Sequence, residues 1–197
     1  MEMPDLVQIP IQFRRIGFGK RLLANLIDGS VAAAGGLVAA LFVTAAGLFE
    51  LSMLDIAQLA EMQEMYATMG LERDLATEVL MFTEAFLIGS MGIALVLSLM
   101  EALMGASLGK LAMQIAIGTI DGRKGSRDLW LKRWMIKNSG TLLSVVGALP
   151  VLSFLEGVGQ LLGIIIIIGC FFAIGTERLA LHDRIAQTAV YHKDDLQ

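Results

Sequence analysis

The sequence predicts an all-α integral membrane protein: four transmembrane helices, both termini in the cytoplasm, an amphipathic outer helix and a cytoplasmic interfacial helix. Three observations predict it. Hydrophobic residues make up 56% of the 197 positions and charged residues 17%, where a soluble domain averages roughly 45–50% and 25%. Apolar stretches long enough to cross a bilayer recur along the chain. The basic residues are distributed very unevenly between those stretches. The same composition excludes other classes. A single cysteine, Cys170, leaves no disulfide scaffold and no Cys-based zinc site. A net charge of −4 lacks the uniformly basic surface of a nucleic-acid binder. The length suits one membrane domain over 1–197.

A spanning helix needs about 20 mostly apolar residues. After a cytoplasmic N-terminal segment (1–21), the first span is 22–49, with Asp28 as its only internal charge. Its apolar run is too long, and starts too late, for a cleavable signal peptide. The second span is 79–109 and carries Glu84 and Glu101. The third and fourth, 138–155 and 157–176, are split only by Glu156. As a single helix, 138–176 would be about 58 Å long, too long for one crossing. Two spans joined at Glu156-Gly157 is the economical arrangement. The alternative is a re-entrant piece ending near Pro150, followed by one span.

Orientation follows the Lys and Arg count between spans. Of the 15 basic residues, all but Arg73 lie in the N-terminal segment, in 110–137 or in the tail 177–197. The segment 50–78 holds Arg73 against Glu50, Asp55, Glu61, Glu64, Glu72, Asp74 and Glu78. This places 50–78 outside and both termini inside, and a prokaryotic inner membrane fits that pattern.

The outer segment reads as a helix. Leu51, Leu54, Met62, Met65 and Met69 recur at helical spacing opposite Glu61 and Glu64, and Gly70 marks a stop. Such a helix lies on the outer leaflet or against the bundle; a lid or a Met-lined partner surface is the other reading. Within 110–137, Ile115–Ile120 with Asp121-Gly122 reads as an extended stretch into a turn. The helix that follows starts at Ser126 or Asp128 and runs to Lys137. Trp130 and Trp134, four apart, share one face of it beside Lys132, Arg133 and Lys137, as a helix at headgroup depth would arrange them.

Several chemical motifs fail. Gly105-Ala106-Ser107-Leu108-Gly109-Lys110 is one residue short between its glycines for a phosphate loop, and Leu111 stands where a magnesium-binding hydroxyl belongs. Those glycines suit close helix packing or a tight helix end. His182 and His192 form no zinc-protease pattern, and Cys170 reads as an inert thiol. No nucleophile–base pair, metal-ligand set or cofactor motif can be named, so an enzyme is not expected.

Ionisable groups inside spans usually have a function. Asp28 follows Arg21 by seven residues, about 10 Å and two turns along one helix face. Arg21 can sit at the boundary below it and reach the headgroups. Glu101, near the cytoplasmic end of the second span, falls at a similar depth. Two carboxylates in a low-dielectric site cannot both ionise cheaply, so one holds a proton or both bind a cation. That is the minimum equipment for cation/proton exchange with a monovalent cation. The competing reading is that Asp28 only fixes helix packing.

At these residues the chain resembles the RDD family of membrane proteins. The first signature reads Gly19-Lys20-Arg21-Leu22-Leu23-Ala24-Asn25-Leu26-Ile27-Asp28. The middle one reads Glu101, Ser107-Leu108-Gly109-Lys110, Asp121-Gly122 and Arg133. The last reads Leu181-His182-Asp183-Arg184-Ile185-Ala186-Gln187-Thr188-Ala189-Val190. The resemblance covers roughly 17–191. Gln187 departs from it where the family usually has Gly, and the long outer segment is missing from shorter members. What it implies is architecture more than activity: some members resemble cation/proton antiporters, others accompany larger membrane assemblies.

Asp183 follows the last span at the face where Arg21 enters the first. The expected structural ion pair is Arg21–Asp183, with Arg133 as the alternative partner, and exchanging the two charges should then rescue what either loses alone. Two functional classes remain open: an ion-coupled transporter using Asp28 and Glu101, or a non-transporting subunit or scaffold of a membrane protein and lipid assembly. Either points to a homo-oligomer or a larger complex, for which Gly35, Gly36, Gly89, Gly92, Gly159 and Gly163 offer close-contact faces.

Overall fold

The computed structural model describes residues 14–47, 56–70, 72–147 and 149–196. Phe49, Glu50, Leu51, Leu54 and Asp55, used above to bound the first span and the outer helix, lie outside them. The chain is mostly helical and forms two compact units, 28–96 and 1–27 with 97–197.

Among the described residues, three helices are long and apolar enough to cross a membrane. The first, α1 (Phe18–Ala46), contains a single acidic residue, Asp28. After α2 (Ile56–Thr68), α3 (Arg73–Met104) supplies the second from Leu75 onward. The third begins with α7 (Phe154–Cys170) and extends through a 3-10 turn to Ile174. In each, only 17% of the most apolar window is buried inside the protein, so most of these apolar faces need lipid or a partner.

In the 28–96 unit, α1 and α3 meet at small residues. A Cβ on Gly36 would lie 1.9 Å from Ser90 Oγ and 2.5 Å from the Phe86 carbonyl oxygen, and one on Gly89 would lie 2.6 Å from Ala39 Cβ. These glycines are used inside the chain, whereas Gly92 meets nothing within 4 Å. The α2 helix ends as expected, with Gly70 in the left-handed region at φ +85. Met62 on it is half-buried while Met65 and Met69 are exposed.

In the other unit, α3 stops at Gly105 (φ +73), where any Cβ would run into the Trp130 indole. The short α4 (Leu108–Ala112) leads into β1 (Ile115–Thr119), the extended stretch expected there. The all-α expectation needs one correction: β1 pairs antiparallel with β2 (Thr188–His192), Ile117 opposite Val190. The Ile16 N–H adds to this ribbon by donating to the Val190 carbonyl at 2.7 Å. Ile16, Ala24, Ile115, Ile117 and Val190 form the core beneath it. Helix α5 (Arg127–Lys137) starts where Ser126 Oγ accepts from the Leu129 N–H.

The stretch expected as a third span, 138–155, is not a span-length helix. It contains α6 (Ser139–Gly147), nine residues and about 13.5 Å, and a 3-10 turn at Pro150–Leu152. Gly147 sits so tightly against Glu156 that a Cβ would be 2.4 Å from its nitrogen, and Pro150 cannot donate to a continuing helix. Further along, Gly140 packs on the backbone of Gly159 and Gly163. Helices α6 and α7 therefore form an antiparallel hairpin with one short arm, followed by α8 (Leu181–Ala186) and β2.

Candidate functional site

One charged cluster dominates the unit that contains the sheet. Its centre is Asp183 on α8, fully buried. Asp183 accepts from Arg21, near the start of α1, and from Arg133 Nε at 2.8 Å. The Ala180 N–H at 3.3 Å and Thr188 Oγ1 at 3.5 Å complete its surroundings. Arg21 is held from its other side, donating to the carbonyls of Ile16 and Arg178 at 2.9 Å each. Arg133 also donates to Glu101 and lies 3.0 Å, through Nη2, from His182 Nε2. Glu101 takes two further cations, Lys110 and, at 3.0 Å, Lys137.

Local structure explains how these groups converge. Arg133 and Lys137 lie one turn apart on α5 and so share a face. Lys110 is brought to Glu101 by the sharp reversal at Gly105. The turn after α8 uses Gln187 at φ 58 and ψ 42, a left-handed helix end that favours glycine. Glycine would adopt that conformation without the steric cost that Gln187 bears.

Burial and neighbouring charges act differently on the members of the cluster. Burial alone pushes the Asp183 carboxyl up, but Arg133, Arg21 and His182 hold it well below the usual carboxylate range. Burial disfavours the charge on Arg133, and Asp183 and Glu101 more than offset it, so its pKa is raised. Burial pushes Lys110 down to about 7, against the pull of Glu101. Burial and the Arg133 charge push His182 down to about 3, which leaves its ring neutral.

The expected Arg21–Asp183 pair is present, and Arg133, named as the alternative, shares the same carboxylate. The simple charge exchange therefore fails as a rescue, because an arginine at 183 would face Arg133. Glu101 is tied to three cations. Asp28 is half-buried on α1 and belongs to the other unit. Trp130 and Trp134, expected at the membrane interface, are half-buried and donate inside the protein, to the Ile117 carbonyl at 3.0 Å and Ser98 Oγ at 2.7 Å. Sequence reasoning missed Lys110, Lys137 and His182. The signals available were the i, i+4 spacing of Arg133 and Lys137 and the presence of Lys110 and His182 within the signatures quoted above.

Span-length apolar helices, closed at one end by a buried network of arginines, lysines and carboxylates, define a multipass α-helical membrane protein with a polar lock. The RDD family model matches residues 15–187, and the chain belongs to the RDD family. No curated protein and no solved structure matches it.

Proposed function

We propose that this chain is a non-transporting subunit or scaffold of a membrane protein and lipid assembly, set in a prokaryotic inner membrane with both ends in the cytoplasm. The observation that carries this reading is the saturation of the buried carboxylates. Glu101 is occupied by Lys110, Arg133 and Lys137, and Asp183 by Arg21 and Arg133. An exchanged cation would have to displace a built-in cation and approach through surplus positive charge.

Two facts support the orientation. The segments carrying nearly all the basic charge fold into one unit. The α6–α7 hairpin leaves from α5 and returns to α8, and Arg133 meets His182 there, so the hairpin begins and ends at the lock. The outer segment 50–78 then faces out, and self-association or a larger complex covers the apolar faces. No enzymatic step is assigned. Exchange is the second reading; it would use Asp28, an ionisable group inside a candidate span.

Purified protein in liposomes with an internal pH dye separates the two. The scaffold reading expects sodium or potassium gradients to move pH no more than in empty vesicles, and cross-linking in native membranes to capture a stoichiometric partner. An ion-dependent pH change abolished by Asp28→Asn would refute it.

A further inference from the structure

We propose that the cavity beside the lock is a binding site for a phosphate group, and that the group belongs to an anionic phospholipid headgroup. The proposal deepens the scaffold reading by naming the chemistry of the lipid partner.

The cavity holds about 80 Å³, room for several waters where one needs roughly 10–15 Å³ by the same measure. Four cations line it: Arg21, Lys110, Arg133 and Lys137. Only two carboxylates of the lock, Glu101 and Asp183, oppose them. Even with Lys110 pushed down to about 7, positive charge is in excess, in a place where burial makes each uncompensated charge costly. A bound anion removes that cost and accepts the remaining N–H groups; guanidinium and ammonium together suit phosphate oxygens.

His182 supplies an independent observation. It lines the same cavity and is 4% exposed. Arg133 Nη2 can only donate, so the His182 Nε2 beside it at 3.0 Å accepts. The proton of the neutral ring is then on Nδ1, which is buried and has no hydrogen-bond partner among the described residues. A buried donor without an acceptor costs stability, and a small shift of the His182 ring toward an anion in the neighbouring cavity would give it one.

The walls identify the source of the phosphate. Leu22 and Asn25 come from the start of α1, and Cys170 comes from the end of α7. Both helices are candidate spans. The cavity is thus bounded by the polar ends of two apolar helices, the depth at which a lipid presents its phosphate.

The test compares lipid retention by full-length protein in detergent micelles, read by native mass spectrometry. The probes are phosphatidylglycerol, phosphatidylcholine and inorganic phosphate. Wild type should retain phosphatidylglycerol over phosphatidylcholine. Lys137→Gln should weaken that retention about tenfold, the scale of one lost charge-assisted hydrogen bond. Lys132→Gln, which removes the same charge from an exposed position on α5, should stay within about twofold, as expected for a screened surface charge. Should Lys137→Gln fail to fold, the wild-type protein answers alone. Cys170 is the only cysteine, and phosphatidylglycerol, not phosphatidylcholine, should slow its maleimide labelling.

Equal retention of the two lipids, or equal loss in both variants, overturns the proposal. Protection of Cys170 by inorganic phosphate but not by phosphatidylglycerol keeps the phosphate site and overturns the lipid source. Each result is independent of the liposome assay. A protein that exchanges ions yet retains phosphatidylglycerol refutes the scaffold reading alone.

Discussion

Replacing Asp183 with asparagine tests the lock most directly. The carboxylate is fully buried and serves two guanidiniums, Arg21 and Arg133. Asparagine keeps the shape, loses the charge, and turns one oxygen into an N–H₂ that faces donors. Breaking a buried pair from one side costs about 3–5 kcal/mol. Arg133 retains Glu101 and His182, and Arg21 retains the carbonyls of Ile16 and Arg178, so the loss should fall near the lower end, about 3 kcal/mol. For a chain of this size that corresponds to a Tm drop of about 6–12 °C in detergent, measured by intrinsic fluorescence. Arg21→Gln combined with Asp183→Asn should cost less than the sum of the single losses, because the partners are coupled. The exchange Arg21→Asp with Asp183→Arg should recover nothing, since the new arginine meets Arg133. A Tm within about 1 °C of wild type for Asp183→Asn, or full recovery in the exchange, refutes the shared-carboxylate lock.

Three further outcomes are expected. His182 is pushed down to about 3 from 6.5, so the unfolded chain binds its proton first; stability contributed by the neutral ring is complete above about pH 6.5 and falls as pH drops toward 3, by at most about 1.4 kcal/mol per unit. His182→Gln should flatten that part of a Tm-versus-pH curve, and an unchanged slope argues against a neutral buried ring. Gly36→Val should destabilise by about 1–3 kcal/mol or more through overpacking against Ser90 and Phe86, while Gly92→Ala, inside α3 with nothing within 4 Å, should leave Tm unchanged or raise it slightly. Gln187→Gly should raise stability by up to about 1 kcal/mol by relieving the left-handed φ; a fall in Tm would refute that strain.

The parts of this fold legible in the sequence are those that local chemistry dictates. Long apolar runs give α1, α3 and α7, and Ser126 gives the start of α5. The family signatures pointed to Arg21, Glu101, Arg133 and Asp183, all of which meet in the lock. The boundary of α6 was harder, because 138–155 carries no charge; Gly147 and Pro150 carried the break, and hydropathy outweighed them. Strand β2 was missed because its partner β1 is some seventy residues away and its own run is short. Lys110, Lys137 and His182 were missed because three separate segments must fold before they share a cavity. The indoles of Trp130 and Trp134 read as interfacial by composition, whereas their N–H groups are satisfied inside the protein.

Arg21 and Asp183 are 162 positions apart. At roughly 5–20 residues per second, a ribosome extrudes the arginine about 8–32 s before the aspartate exists to meet it. Through that interval the leading helix must be held by the insertion machinery or by lipid, with its guanidinium still hydrated. A chain cut short before Asp183 leaves its entry arginine without that acid.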